Sequence, residues 1–205
     1  MIAAGNGDYD PAKVDPVCDT LDRLVAAGKI RYYAWNADPD RARIFAERGH
    51  CTSTQFGLNI FSMNTTDAAE MLAFCDEYNL AAIVNGPLGK GLLTGTLDEA
   101  TRLSATDLRY QRAWNLREGP LAKQRTVLEQ LREILTSEGR TLAQAALGVL
   151  WARSERIIPI PGFKTAAQVQ ENIGALQSGL LSAQQMQDIA DIVAATLSTE
   201  EAEAT

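Results

Sequence analysis

Residues 158–172 read IPIPGFKTAAQVQEN, and the fold follows from how that stretch is parsed. Ile157, Ile158 and Ile160 form a short β-branched run of the kind that makes a buried strand. Pro161-Gly162 ends it with turn chemistry. Thr165, with Gln168 three residues on, is a capping box, so a helix starts near Ala166. The segment is therefore strand, tight turn, helix. The amide groups at such a helix start point back over the strand end and favour an anion there. Lys164 adds a full charge, while Gln168, Glu171 and Asn172 fall on the first turns. Taken alone, the stretch reads about equally well as a ligand site and as a strand–helix joint with one solvated lysine.

Working outward, the same unit recurs. Asp15-Pro16 opens a helix closed by Gly28, with Val17, Leu21, Leu24 and Val25 on one face. Residues 30–35 read as a strand. Asp38-Pro39 opens a second helix closed by Gly49. Residues 52–58 read as a polar strand, 66–78 as a helix burying Met71, Leu72, Phe74 and Cys75, and 81–84 as a third strand. A long irregular stretch, 86–119, is rich in Gly, Arg and Asp; loops of that length are usually functional or mobile. Helices at 121–137 and 141–153 lead to the strand at 157–160, and two more start at Thr165 and Ser182. Residues 1–14 read as an irregular leader, 15–197 as one domain and 198–205 as an acidic disordered tail. Strand and helix alternate four times, which predicts an α/β fold: four parallel strands with surrounding helices, a partial (β/α) TIM-type barrel, or half-barrel.

Composition narrows the function. The chain has 205 residues, 46% hydrophobic and 22% charged, with net charge −7. No basic block offers phosphate contacts, so nucleic acid is not an expected partner. No apolar run has membrane-spanning length and no signal peptide is evident, so a cytoplasmic location is expected. The three cysteines, Cys18, Cys51 and Cys75, lack metal-ligand spacing and read as buried thiols. The lone His50 has no partner at ligand spacing, so no metal is expected; it precedes a strand and reads as structural. In such folds function sits at the carboxyl ends of the strands. Those ends carry Asn36 and Asp38, Gln55 and Asn59, Asn85, and Lys164.

The strand-end segments resemble those of the aldo-keto reductases. GKIRYYAWN at 28–36 resembles the family's strand 5, STQFGLN at 53–59 its strand 6, NGPLGKGLLTG at 85–95 its strand-7 loop, and the opening stretch its strand 8. The matches stand in the family's order over about 15–193. The resemblance implies NADP(H). Gln55 takes the place of the carboxamide-binding Gln. Leu88 and the turn Gly89, Lys90, Gly91 take that of the pyrophosphate loop. Gly162, Lys164, Thr165, Gln168, Glu171 and Asn172 fall in the adenosine-phosphate motif. Two places depart from the pattern. Asn36 and Ala37 stand where the family usually has Ser-Asn, and Asn85 stands where an aromatic often stacks on nicotinamide. The adenosine end is the better kept.

The family's catalytic Asp, Tyr, Lys and His come from the first half of its barrel, and no segment here resembles that half. Tyr9 and Lys13 lie in the polar leader. Hydride transfer to a carbonyl would then lack its proton donor, and reduction is expected to be weak, partner-dependent or absent. Exposed sheet edges favour a homo-oligomer, and the remaining expected partner is a small-molecule ligand. A second reading is a repurposed enzyme such as a glycoside hydrolase, using two carboxylates among Asp38, Asp98, Glu99, Asp107 and Glu118, although each is individually better explained as a cap or solvated charge. A third is a non-catalytic interaction subunit. Trp35, Trp114 and Trp151 read as core or lid packing. Arg102, Arg109 and Arg112 are within reach of an anionic ligand or are solvated loop charges, the second being commoner.

Overall fold

The structure is a computed structural model that describes residues 2–3, 14–36, 39–98, 100–107, 109 and 115–197. The chain divides into two compact units. The first comprises Met1–Leu58, Thr65–Asn85 and Ser154–Ile160; the second comprises Asn59–Asn64, Gly86–Arg153 and Pro161–Thr205.

The first unit is a parallel sheet with helices on one face. Its strands are β1 (Ile2–Ala3), β2 (Tyr33–Asn36), β3 (Cys51–Gly57), β4 (Ala81–Asn85) and β5 (Ile157–Pro159). They lie side by side in sequence order and every neighbouring pair is parallel. Helices α1 (Val14–Ala26), α2 (Pro39–Glu47) and α3 (Thr66–Glu77) link the strands. Four of the strands are those expected from the alternation. The fifth, β1, runs beside Trp35 and Asn36; two residues leave no periodicity to read.

Alternation along the strands sorts the side chains. Trp35, Thr54, Ala82 and Ile157 are buried on the helix side. Trp35 stacks on Phe45 of α2 with ring centroids 4.1 Å apart, so it is core, as its sequence setting suggested. Across the other face run the register partners Asn36, Gln55, Ile83 and Ile158. That face ends on an open edge, where Ile158 and Ile160 are 52% and 45% exposed. A parallel sheet is stable when both faces are covered. Pro159 suits an edge position, since it has no N–H to offer a further strand.

Two local readings differ from the pattern-based ones. Strand β2 begins at Tyr33 rather than Ile30 because the helix end captures the intervening amides. Lys29 and Ile30 both donate to Leu24 O, at 3.0 and 3.4 Å, around Gly28 at φ +66°, a left-handed helix stop. Helix α1 buries Val14 and Cys18, while Val17 is 38% exposed. A distant cation pairs with three of its carboxylates: Arg48 holds Asp15 at 2.8 Å, Asp19 at 2.6 Å and Asp22 at 3.4 Å. Met71, Leu72, Phe74 and Cys75 are buried on α3 as expected, and all three cysteines are buried and unbridged.

The second unit is helical: α4 (Pro120–Thr136), α5 (Leu142–Arg153), α6 (Ala166–Gly174) and α7 (Ala183–Leu197). Helix α5 is apolar over most of its circumference and buries Leu142, Ala143, Ala145, Ala146, Leu147, Val149 and Leu150, as a helix at the centre of a core should. Helices α4 and α6, and the turns Ile60–Ser62 and Gly89–Thr94, pack on it. Helix α7 packs on α4. Among the described residues no helix is long and apolar enough to cross a membrane.

Candidate cofactor site

In the first unit the sheet register gathers the polar strand ends. Asn36 lies beside Gln55, and Gly57 beside Asn85. Gln55 is 9% exposed, and its Oε1 has no hydrogen-bond partner among the described residues. A buried amide oxygen left this way costs about 1–3 kcal/mol, so a strand that keeps one is suited to a donor from outside the chain. Asn36 and Asn85 are half-buried.

In the second unit, Asn59 caps the turn Ile60–Ser62, accepting from Phe61 N at 3.0 Å and donating through Nδ2 to Gly86 O at 3.4 Å. The glycine turn follows. Gly89, Lys90 and Gly91 have φ of +55°, +55° and +100°, a left-handed run that glycine adopts at little cost and lysine does not. Leu88 is buried and its carbonyl accepts from Gly91 N at 2.9 Å and Leu93 N at 3.2 Å, which closes the turn. A Cβ added at Gly91 would stand 3.2 Å from Arg109 Nη1.

The Lys164 motif is a capping box. Thr165 Oγ1 accepts from Gln168 N at 3.3 Å, and Gln168 Oε1 accepts from Thr165 N at 3.2 Å and from Lys164 N at 2.7 Å. Gln168 Oε1 therefore serves the backbone and leaves only the amide Nε2 for a ligand. Lys164, Thr165 and Gln168 are exposed, Glu171 and Asn172 half-buried. A Cβ at Gly162 would meet nothing within 4 Å, so packing within the chain does not call for glycine there.

Among the described acidic candidates, Asp98 and Asp107 are each engaged with a neighbour in their own loop. Asp38 and Glu99 lie outside the described residues. Asp98 accepts from Thr101 Oγ1 at 2.8 Å, and that hydrogen bond holds its carboxyl below the usual range. Asp107 is locked to Arg109, whose guanidinium holds it well below the carboxylate range, followed by the Arg109 backbone N–H. Both shifts run opposite to what a general acid needs. Glu118 is exposed in a bend. The Asp107–Arg109 pairing was not read from the sequence; the available signal was the D-x-R spacing, which closes an Asx turn from Arg109 N to Asp107 Oδ1 at 2.9 Å.

Elsewhere, His50 sits at the entry to β3, where its carbonyl accepts from Tyr33 N at 3.2 Å, a structural role. An open hollow of about 510 Å³ is lined by Asp76, Ser154, Glu155 and Arg156. It lies at the entry to β5, the end opposite the strand termini, and Arg156 is already paired with Asp76 at 2.5 Å and Asn79 at 2.9 Å. No metal-ligand cluster occurs among the described residues.

Parallel strands in one sheet with surrounding helices define the chain as an α/β protein with a partial (β/α) barrel fold. The chain belongs to the aldo/keto reductase family, whose model matches residues 7–194. It is 27% identical over 172 residues to the aldo-keto reductase yakc [NADP(+)] of Schizosaccharomyces pombe, covering 83% of this chain and 50% of that protein. It is 30% identical over 177 residues to the NADH-specific methylglyoxal reductase of Escherichia coli, covering 84% and 53%. A solved glycerol dehydrogenase from Gluconobacter oxydans superimposes with TM-score 0.80 at 22% identity, covering 93% of this chain and 57% of that one. The chain spans about half the length of the curated relatives it matches.

Proposed function

We propose that the chain is the NADP(H)-binding half of an aldo/keto reductase-type protein, with carbonyl reduction by these residues alone weak, partner-dependent or absent. The observation that carries this is the buried, unpartnered Gln55 Oε1 at a strand end, suited to accept from the nicotinamide carboxamide. The left-handed turn at Gly89–Gly91 offers close backbone approach to a pyrophosphate. Lys164 and the helix start at Ala166 suit a 2′-phosphate. One relative is named for NADP(+) and another as NADH-specific, so the preference for NADP(H) rests on Lys164. When bound, the cofactor would supply a hydride to a carbonyl carbon; the residues named here hold and orient it.

Calorimetric titration with NADPH and NADH tests the reading, with NADPH expected to bind more tightly. Failure of both to bind at millimolar concentration would remove it. Asp98 and Asp107, both held acidic by hydrogen bonds, are poorly suited to the proton-donor role in the glycoside hydrolase alternative. We also propose self-association through the β5 edge, supported by the exposure of Ile158 and Ile160.

A further inference from the structure

The charges around the glycine turn form an arrangement that cofactor binding, as proposed above, does not use. Asp107 accepts from Arg109 Nε at 2.9 Å, from Nη2 at 2.7 Å and from the Arg109 backbone N–H at 2.9 Å. The same guanidinium donates through Nη1 to Lys90 O at 3.2 Å, inside the left-handed turn. The pair is largely sheltered, with Arg109 21% and Asp107 17% exposed. Lys164, in the capping-box motif, acts electrostatically on the same carboxylate. One anion thus occupies the Arg109 guanidinium, a fork of donors that a phosphate group would seek.

We propose that Asp107 is a built-in competitor for phosphate: its carboxylate occupies the Arg109 fork, and a nucleotide phosphate must displace it to recruit the guanidinium. This rests on the nucleotide-binding reading above and adds its regulation. Carboxylate and phosphate satisfy the same planar fork of donors, so one can stand in for the other. A phosphate dianion carries the larger charge, which gives exchange its direction. The competing reading is that the ion pair only anchors the loop onto the turn. The two differ in sign. A competitor weakens nucleotide binding; an anchor strengthens it.

The test is calorimetry on the whole chain with adenosine 2′,5′-bisphosphate. Asp107→Asn keeps Oδ1 as acceptor for the Arg109 N–H and removes the charge. Its affinity should rise roughly tenfold, the scale of one nearby charge acting on a dianion in solvent. Adding Arg109→Met to that variant should abolish most of the gain. Asp107→Ser, which retains a short oxygen acceptor, is the second variant if Asp107→Asn does not fold. Unchanged or weaker binding by the folded variant, with the wild type binding, overturns the competitor and leaves the nucleotide reading intact. Absence of binding by both proteins removes both. Binding by the variant alone supports both.

Discussion

Replacing Lys164 by alanine separates the charge of the capping-box motif from its architecture. The Lys164 contribution to the helix start is made by its backbone N–H, which donates to Gln168 Oε1 at 2.7 Å. Alanine keeps that bond, so helix α6 and the melting temperature should be unaffected. What is lost is an exposed ammonium. A charge-assisted hydrogen bond contributes about 1.5–3 kcal/mol, and an exposed one falls at the lower end. About 1.4 kcal/mol is a tenfold change, so NADP(H) should bind roughly tenfold more weakly, and NAD(H), lacking the 2′-phosphate, should bind as before. The difference should shrink as salt rises from 0.05 to about 0.5 M, because the site is open to solvent. Calorimetry with both cofactors on both proteins reads all of this. Equal weakening of NADP(H) and NAD(H) would refute the assignment of Lys164 to the 2′-phosphate. An equal loss without ligand-specific charge would instead mean that the motif acts only through the fold.

Gln168→Ala removes the Oε1 that serves two backbone amides, and should lower stability by about 1 kcal/mol, a fall of about 2–4 °C in melting temperature for a chain of this size. Gln55→Leu replaces a buried amide whose Oε1 lacks a partner, so the melting temperature should hold or rise, while affinity for the whole dinucleotide drops and affinity for adenosine 2′,5′-bisphosphate does not. Burial raises the thiols of Cys18, Cys51 and Cys75, the last to about 12; a thiol-specific aromatic disulfide at pH 8 should label them only when denaturant is added, and fast labelling of the native protein would contradict the described core. Light scattering should report more than one copy per particle, and Ile158→Glu should shift it toward monomer; a wild-type monomer at micromolar concentration removes the proposed self-association.

Local chemistry was legible in the sequence and long-range geometry was not. The Thr165–Gln168 cap, the stop at Gly28 and the apolar run of Ile157–Ile160 are each decided within a few residues, so the strand–helix order could be read directly. The ion pairs of α1 could not, because their cation, Arg48, lies 26 positions beyond Asp22. The start of β2 was misplaced because Ile30 looks like a strand residue while its amide belongs to the helix end. In the candidate site the Thr165–Gln168 capping box lies on one continuous segment and was visible as such. The orphaned oxygen of Gln55 was not, since it depends on what every neighbouring strand fails to offer. The fork between Asp107 and Arg109 was hidden for a further reason: charges two apart in a loop carry no periodicity, and only the fold tells a paired one from a solvated one.

The division into two units is not a division of the chain. The backbone passes from one to the other after Leu58, returns at Thr65, leaves again after Asn85, returns at Ser154 and leaves a last time after Ile160. No single cut therefore yields either unit as a continuous polypeptide. A protease that nicks the long stretch between β4 and α4 should leave two fragments that still co-purify, because each carries pieces of both cores. Dissociation should need denaturant. Loss of the sheet and loss of the helical core should then coincide in one unfolding transition rather than two.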